Sequence, residues 1–421
     1  MSCVTSKNIL CVYKITIKLC NKQYKSGKRK TTVDIYIALP PFVMNLRPQK
    51  LQRPPNSMSS ATILPDELIE QVLSFLPVKT LIQLRSCCKS WNYLMSDPLF
   101  VKSHLQRSTQ NPNFTLGNTL CIEDTSVLPI SFDRFIESSC SSKPITLTND
   151  PYYSLKDKDC SNVVGSCNGL ICLLGYSFES REMWFRFWNP ATRTVSDKLG
   201  HFRSIPYSYD LTFGYDNSKD TYKVVNLYRG AKVFSLGDNA WKNIQSFPVK
   251  DHQLSCDGVH LRGIVNYLAI RNYYSHSSYD CKDLTVEQFV IISLDLGTET
   301  YKYLLPPRGF VQVPCIKPSL CLLMDCLCFS HVVKETHLVI WKMTNYGVQE
   351  SWTPLLKIDL QIIDYKLEKK FDSRWLPLGN DSEELPVVYN LRDHSVERPR
   401  IINGKRWWHY IKNYSESMVL C

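Results

Sequence analysis

The sequence has 421 residues, of which 44% are hydrophobic and 21% are charged, values close to those of ordinary globular proteins. It contains no run of about 18 apolar residues, so it predicts no membrane-spanning helix. The net charge of +11 belongs almost entirely to residues 1–57, which carry eleven basic residues and one acid. The rest of the chain is nearly neutral and predicts no face for binding nucleic acid.

The basic segment 1–57 has short apolar pieces broken by charges or prolines, and these fit a signal peptide poorly. We predict an extension without a fold. Two further interpretations stay open: its run KSGKRK (25–30) as a nuclear-import patch, and a true start of translation at Met58. The seventeen cysteines form no disulfide framework, which predicts a reducing compartment, cytoplasmic or nuclear.

The stretch LPDELIEQVLSFLPVKTLIQLRSCCKSW, residues 64–91, has the strongest helical periodicity in the chain. Leu68, Val72 and Leu76 recur on one face, and Pro77 ends that helix and can start the next. Three helices of this size expose more apolar surface than they cover for one another. We therefore expect them to complete their core against a partner protein, or against the neighbouring domain as a plain cap.

This stretch resembles an F-box over about residues 62–106. The resemblance rests on several signals in the right order: Leu64-Pro65, Glu67-Leu68-Ile69, Val72-Leu73, Leu76-Pro77, Leu81, Cys88-Lys89-x-Trp91 and Asp97-Pro98-x-Phe100. Cys87 departs from the usual valine. An F-box, as the resemblance implies, docks onto the Skp-type adaptor of a cullin–RING (SCF) ubiquitin ligase. The residues implied for the adaptor face and its support are Leu64, Pro65, Leu68, Ile69, Leu76, Pro77, Leu81, Lys89 and Trp91.

From about Cys121 onward, short runs of β-branched and aromatic residues alternate with turn residues and predict strands. Asn168-Gly169 is the strongest hairpin signal. Strand–turn–strand units recur at intervals of 46 to 60 residues, the period of propeller blades of the kelch type; a β-sandwich is the alternative. The turns are centred near Pro190, Gly237, Gly297, Tyr346 and Arg392.

Residues 110–421 loosely resemble the F-box-associated (type 1, kelch-like) region of plant F-box proteins. The resemblance rests on SCNGLICL, WNPATR, FGYDNSKDTYKVV and YSESMVL, while the Gly-Gly pair of true kelch repeats is missing. The expected fold class is α plus all-β: a three-helix F-box followed by a large antiparallel β-propeller-like domain. The predicted domains are the extension 1–57, the F-box 58–107 and the β domain 108–421.

Two groups of side chains are candidates for chemistry. The first is a possible zinc site with non-standard spacing, made of Cys321, Cys326, Cys328, His331 and His337. A buried strand of small, soft residues explains the same pattern equally well. A second group could contain a Cys/His nucleophile pair: His252, Cys256, Asp257, His260 and His276. The chain has no GxSxG, HExxH or P-loop motif. We expect no metal, no cofactor and no catalytic residue.

The tryptophans that recur in the repeats are expected to be blade core: Trp184, Trp188, Trp241, Trp341 and Trp352. Trp407-Trp408 is a candidate for a partly exposed contact. The long unpatterned segments 272–288 and 365–381 are expected to shape a target-binding surface.

The predicted function is that of a substrate-recognition subunit of an SCF-type E3 ubiquitin ligase. The F-box would bind the Skp-type adaptor and through it cullin, and the β domain would bind a target protein, so that ubiquitin transfer is accelerated by proximity. The alternative is a non-ligase protein- or ligand-binding β-propeller whose helices are only a structural cap. A third class is an oxidase-like propeller enzyme.

Overall fold

The structure is a computed structural model. It describes residues 11–20, 30–39, 66–110, 114–120, 126–131, 145–146, 155–156, 160–177, 179–203, 211–227, 230–248, 258–273, 279, 281–361, 384–390, 396–397, 401–402 and 407–419. Helices occupy the first part of the chain after the N-terminal segment, and antiparallel sheets follow. Among the described residues, no helix is long and apolar enough to cross a membrane.

Four helices follow one another where three were predicted: α1 (Asp66–Leu73), α2 (Val78–Arg85), α3 (Lys89–Ser96) and α4 (Pro98–Gln110). Pro77 precedes α2, as its fixed φ favours. The thiol of Cys88 caps α3 by accepting from the Trp91 backbone at 3.4 Å. A carboxylate oxygen of Asp97 accepts from the Leu99 backbone at 2.7 Å and so caps α4, the longest of the four.

Two strands lie in the basic N-terminal segment, β1 (Cys11–Cys20) and β2 (Lys30–Leu39), paired antiparallel with Ile15 opposite Ile35. This differs from the extension without a fold that the charge predicted. The physical reason is in the sequence, since both stretches alternate apolar with polar residues, as strands do. The rest of the segment lies outside the described residues, and the domain boundaries stay a prediction.

Four short strands come next: β3 (Phe114–Leu120), β4 (Ser126–Ser131), β5 (Ile145–Thr146) and β6 (Leu155–Lys156). Four antiparallel meander sheets then follow, which we call blades 1 to 4. Blade 1 contains β7 (Cys160–Cys167), β8 (Leu170–Ser177), β9 (Glu182–Asn189), β10 (Thr194–Val195) and β11 (Leu199–Arg203). Blade 2 contains β12 (Leu211–Asp216), β13 (Thr221–Asn226), β14 (Lys232–Ser235) and β15 (Ala240–Asn243).

Blades 3 and 4 repeat the same order of strands. Blade 3 contains β16 (Val259–Leu261), β17 (Ile264–Ile270), β18 (Phe289–Asp295) and β19 (Tyr301–Leu304). Blade 4 contains β20 (Ser319–Leu323), β21 (Cys326–Val333), β22 (His337–Met343) and β23 (Trp352–Asp359). Short 3₁₀ helices at Val286–Gln288 and Gln349–Ser351 precede β18 and β23.

The repeat predicted from the turns is confirmed for four units. Pro190, Gly237, Gly297 and Tyr346 each lie between the third and fourth strands of a blade. The long interval arises because segment 272–288 is inserted between β17 and β18. Arg392, the fifth predicted centre, lies outside the described residues.

The last strands return to earlier parts of the chain: β24 (Glu384–Asn390), β25 (Val396–Glu397), β26 (Ile401–Ile402) and β27 (Trp407–Tyr414). β24 pairs parallel with β2 and antiparallel with β25, and β26 pairs parallel with β5. β27 pairs antiparallel with β3, so the C-terminal strand lies in the same sheet as the strands that open the β domain. The fold class, N-terminal helices followed by a large antiparallel propeller-like β domain, agrees with the prediction.

The core is built between neighbouring blades from aromatic side chains. Phe187 of blade 1 packs against Phe213 and Phe234 of blade 2, with ring centroids 5.7 and 6.3 Å apart. Phe310, on the segment before blade 4, lies 5.2 Å from Phe289 of blade 3 and 5.1 Å from Phe329 of blade 4. Such packing of rings between sheets supplies a large apolar contribution to stability.

A buried ion cluster joins blades 2 and 3. The Lys223 ammonium, 2% exposed, lies 2.9 Å from an Asp216 carboxylate oxygen and 3.2 Å from one of Glu299. It also donates to the Leu296 carbonyl. Burial tends to raise the pKa of Asp216, but hydrogen bonds from Ser218, Lys223 and Lys219 outweigh it and hold the pKa at about 2. The carboxylate is therefore ionised at neutral pH.

Candidate adaptor-docking surface

Three apolar side chains form an exposed stripe along α1 and its C-terminal turn. Leu68, Val72 and Phe75 are 46%, 61% and 67% exposed, and their spacing places them on one helical face. Residues Ile69 and Leu73, on the other side, are half-buried and buried. We call Leu68, Val72 and Phe75 the α1 stripe. Large apolar side chains in a contiguous exposed patch are characteristic of a protein-binding site.

The end of the α1 stripe is held by α4. The guanidinium of Arg107 lies 4.2 Å from the centre of the Phe75 ring and donates to the Gln71 carbonyl at 3.0 Å. An imidazole nitrogen of His104 is 3.0 Å from the Leu76 carbonyl, so α4 also holds the turn after α1. Two further large apolar residues of the helices are exposed, Tyr93 on α3 and Leu99 on α4.

The predicted adaptor residues divide into three groups by location. Leu64 and Pro65 lie outside the described residues. Leu68, Pro77 and Lys89 are exposed. The remainder are half-buried or buried and line the interior of the helices: Ile69, Leu76, Leu81 and Trp91. Leu81 is fully buried, so its side chain supports the helices rather than offering a contact.

Val72 and Phe75 belong to the α1 stripe but were not chosen as site residues. Val72 was recognised as part of the same helical face as Leu68, and Phe75 follows it at i+3. The signal that could have found both is the i, i+4, i+7 series that starts at Leu68. The family motif instead pointed to positions such as Leu81, which is apolar because it packs in the interior of the helices.

The underside of the helices is covered by the β domain. Ala191, in the turn after β9, and Met418, near the C-terminus, belong to the same buried cluster as the helix residues Leu73, Val78, Leu81, Met95 and Phe100. We call this cluster the helix–blade junction. The lower half of the helical core is therefore completed within the same chain by the neighbouring domain, one of the two possibilities that the sequence predicts.

The segment preceding blade 4 borders a cavity of about 360 Å³ lined by Val311, Val313, Ile316 and Val332. The insertion 272–288 reaches this segment, because the Tyr279 hydroxyl donates to the Pro314 carbonyl at 2.8 Å. The thiols of Cys281 and Cys315 are also only 3.5 Å apart. Most of the insertion's tip, and all of segment 365–381, lie outside the described residues.

Among the candidates for a Cys/His nucleophile, His260 lies in the described part of the chain, and its contact there is not that of an activated pair. His260 Nδ1 lies 3.6 Å from the Cys167 thiol, a pair that the sequence did not identify. Burial raises the pKa of Cys167 to about 12 and lowers the pKa of His260, so both are neutral at pH 7. An activated thiolate would need the opposite shifts. His252, Cys256, Asp257 and His276 lie outside the described residues.

The zinc-type candidates lie on three consecutive strands of blade 4, β20, β21 and β22. Cys321 of β20 is opposite Cys328 of β21, and His331 accepts from the indole N–H of Trp341 at 3.2 Å. Within the described part of the chain, no group of three or more His, Cys, Asp or Glu side chains is placed to hold a metal ion.

The predicted blade tryptophans are buried or half-buried: Trp184, Trp188, Trp241, Trp341 and Trp352. They belong to the hydrophobic clusters within and between the blades. Trp407 and Trp408 lie in β27, but their side chains are outside the described residues.

Comparison with known proteins finds two matching domain families, one after the other along the chain. Residues 62–103 match the F-box domain family, and residues 121–308 match the F-box associated beta propeller domain family. The chain is 31% identical to the Arabidopsis thaliana F-box protein ETP2, over 76% of this chain and 79% of that protein. It is 29% identical to an F-box/kelch-repeat protein of Arabidopsis thaliana, over 72% of this chain and 81% of that protein.

Among solved structures, the chain is similar to the beta-propeller domain of the Trilobed protease from Pyrococcus furiosus. The TM-score is 0.32 at 8% identity, covering 72% of this chain and 80% of that one, and a likeness this low carries no argument. Helices with an outward apolar stripe are followed in this chain by propeller-like blades, the order in which the two matching domain families occur. The chain belongs to the F-box protein family.

Proposed function

We propose that this protein is a substrate-recognition subunit of an SCF-type E3 ubiquitin ligase. The F-box would bind a Skp-type adaptor, and through it cullin, while the β domain binds a target protein. The observation that carries the proposal is the α1 stripe: Leu68, Val72 and Phe75 are exposed although the opposite face of the same helix is buried. A helix that only capped the β domain would not need an apolar outer face.

In this proposal the chain itself is a non-catalytic adaptor. Ubiquitin transfer would be accelerated because the target is held near the ligase's reacting centre, which raises its effective concentration. The neutral Cys167–His260 pair fits this role, since it offers no activated nucleophile. We further propose a kelch-like β domain over residues 108–421, an F-box over 58–107, and action in the cytoplasm or nucleus.

One observation favours the alternative, a binding propeller outside any ligase whose helices are a cap. Ala191 and Met418 of the β domain complete the lower half of the helical core, as a cap requires. This junction and the α1 stripe lie on different faces of the helices, however, so a capped β domain and a docked adaptor are compatible. The two functions therefore differ only in whether the stripe is used.

The proposed target-binding surface lies near blades 3 and 4. The insertion 272–288 contacts the segment 309–316 through Tyr279 and Cys281, and this segment borders the 360 Å³ cavity. Loops held by a rigid sheet are where propellers commonly bind partners. Replacing the insertion with a short Gly/Ser link should abolish target capture while leaving adaptor binding intact.

The test of the ligase proposal is co-purification of the full chain with a Skp-type adaptor, followed by a titration. The variant Val72→Glu should weaken adaptor binding at least about 100-fold, because a charge would be buried in an apolar contact. Val311→Glu is the matched control, since Val311 is 79% exposed but lies on the β domain. Normal adaptor binding by Val72→Glu, or none by the unmodified chain, would reject the proposal.

A further inference from the structure

We propose that residues 414–419 act as a clamp that fixes the orientation of the F-box on the β domain, with Asn189 and Met418 as its positioning residues. We call this segment the C-terminal clamp. The inference rests on the proposed function for its biological meaning. Its structural basis is a set of buried contacts among three parts of the chain that are far apart in sequence.

The clamp is tied to blade 1 by one fully buried amide. The side-chain N–H₂ group of Asn189, at the end of β9, donates to the backbone carbonyls of Ser417 and Val419, at 2.9 and 2.7 Å. Its carbonyl oxygen accepts from the Ala191 backbone N–H at 3.0 Å. A single side chain thus fixes the turn after β9 and the clamp to each other, in a site where unpaired polar groups are costly.

The other side of the clamp lies against the first hairpin of blade 1. Ser417 is fully buried over Gly169, where an added Cβ would lie 2.0 Å from the Ser417 hydroxyl oxygen and 2.9 Å from its backbone nitrogen. Gly169 and Asn168 both have positive φ, 81° and 49°, as a type I′ turn requires. The clamp therefore fits between two turns that hold its backbone.

The side chain of Met418 extends from the clamp into the core of the helices. Met418 follows directly after Ser417, is 2% exposed, and belongs with Ala191 to the helix–blade junction. Asn189 thus positions both of the β-domain side chains that pack in the helical core, Ala191 and Met418. An ion pair between α4 and blade 2 is exposed, with the Lys102 ammonium 2.9 Å from an Asp220 carboxylate oxygen, and such surface pairs contribute little to stability.

The functional consequence concerns geometry. Domains joined by a flexible link move relative to one another unless their interface is apolar and well packed. In a ligase subunit, such motion would spread the target over many positions relative to the reacting centre. A clamp that completes the helical core from the β domain restricts the F-box to one orientation. The bound target would then be held near the reacting centre and also in a fixed orientation relative to it.

The experiment measures the distance between two spin labels by pulsed electron paramagnetic resonance in the full chain. The labels are introduced as non-canonical amino acids at the exposed positions Gln83 on α2 and Asp238 on blade 2. We expect one narrow distribution for the otherwise unmodified chain. Met418→Ala should broaden it about twofold or more, because the junction loses its contribution from the clamp.

Met343→Ala is the matched control, since Met343 is also 2% exposed but lies in blade 4. It should lower the melting temperature without broadening the distribution. Asn189→Ala is a second route to the same result and protects against misfolding of one variant. If Met418→Ala and Asn189→Ala both melt cooperatively and keep the narrow distribution, the clamp is refuted.

A parallel titration with a Skp-type adaptor separates this proposal from the ligase assignment. The α1 stripe lies on another face from the junction, so Met418→Ala should keep adaptor affinity within about twofold. Loss of adaptor binding together with a narrow distribution would contradict the clamp. Failure of the unmodified chain to bind adaptor would reject the ligase assignment but leave the distance result valid.

Discussion

At the scale of single residues, two glycines allow the energetic cost of backbone strain to be distinguished from the cost of a steric clash. Gly169 and Gly347 have nearly the same φ, 81° and 83°, but a Cβ added at Gly347 would meet nothing within 4 Å. Gly347→Ala should therefore lower the free energy of unfolding by about 1–2 kcal/mol from strain alone. Gly169→Ala should lower the free energy of unfolding by about 1–3 kcal/mol more than Gly347→Ala does, because Ser417 must move to make room for the added methyl group.

Urea unfolding of the two variants, followed by intrinsic fluorescence, would measure both losses on one scale. Equal losses would mean that the clamp is not packed on Gly169. The Asn-Gly pair predicts this hairpin from sequence because only a few residues favour positive φ. The contact with Ser417, almost 250 positions later, has no local signal in the sequence.

At the same scale, Leu68 and Leu81 show where sequence reasoning about the site stops. Both are apolar and both recur at helical spacing, yet Leu68 is 46% exposed and Leu81 fully buried. The difference arises because Met418 and Ala191 cover one face of the helices and leave the other uncovered. Periodicity identifies an apolar face but not the surface that covers it.

At the scale of strands and turns, the ion cluster between blades 2 and 3 makes a direct prediction. Lys223→Met would leave the buried Asp216 carboxylate without its ammonium partner and Glu299 with only a surface one. The free energy of unfolding should fall by about 3–5 kcal/mol. Lys242→Met is the control: Lys242 also pairs with Glu299 but is 68% exposed, so the loss should stay below about 1 kcal/mol.

Chemical denaturation at neutral pH would compare the two lysine variants. Similar losses for both would show that the cluster is more hydrated than its burial indicates. The cluster itself was not visible in the sequence, because Lys223 sits in KVV as an ordinary polar residue of a strand. Its partner Glu299 lies in the next blade, and no local rule relates the two.

The strands and their repeat were largely predictable, for a physical reason. Pro190 and Gly237 are residue types that favour turns, and the 47 positions between them are the length of one blade. The strands β1 and β2 were missed because the charge of segment 1–57 was given more weight than its alternating pattern. Pairing of β24 with β2, across the whole chain, has no short-range signal.

At the scale of the whole molecule, three histidines predict how stability depends on pH. Burial lowers the pKa of His104, His260 and His331, in the last case from 6.5 to about 4. Below pH 6.5 the unfolded chain therefore binds more protons than the folded one. Stability should be full above pH 6.5 and should be lost as the pH falls towards 4.

Denaturation curves measured between pH 7.5 and about 4.5 would show this slope, and His331→Gln should make it shallower by up to one proton. The variant also loses stability at pH 7.5, since His331 accepts from Trp341, so slopes rather than absolute values are compared. An unchanged slope would mean that His331 is not neutral and buried as described.

The position of the C-terminal clamp also orders events during synthesis. A ribosome makes the helices early and the four blades next, whereas Met418 and the strand β27 emerge only after all of them. The helices can therefore fold while the rest of the chain is still being made. In the proposed clamp, they reach their final orientation on the β domain only after residues 414–419 have been synthesised. Under the proposed function, chains cut short by a premature stop codon would keep the α1 stripe but lack the clamp that orients the helices on the β domain. Under the same proposal, such chains would compete for the adaptor while holding targets in variable orientations, so a truncating allele is expected to be dominant rather than silent.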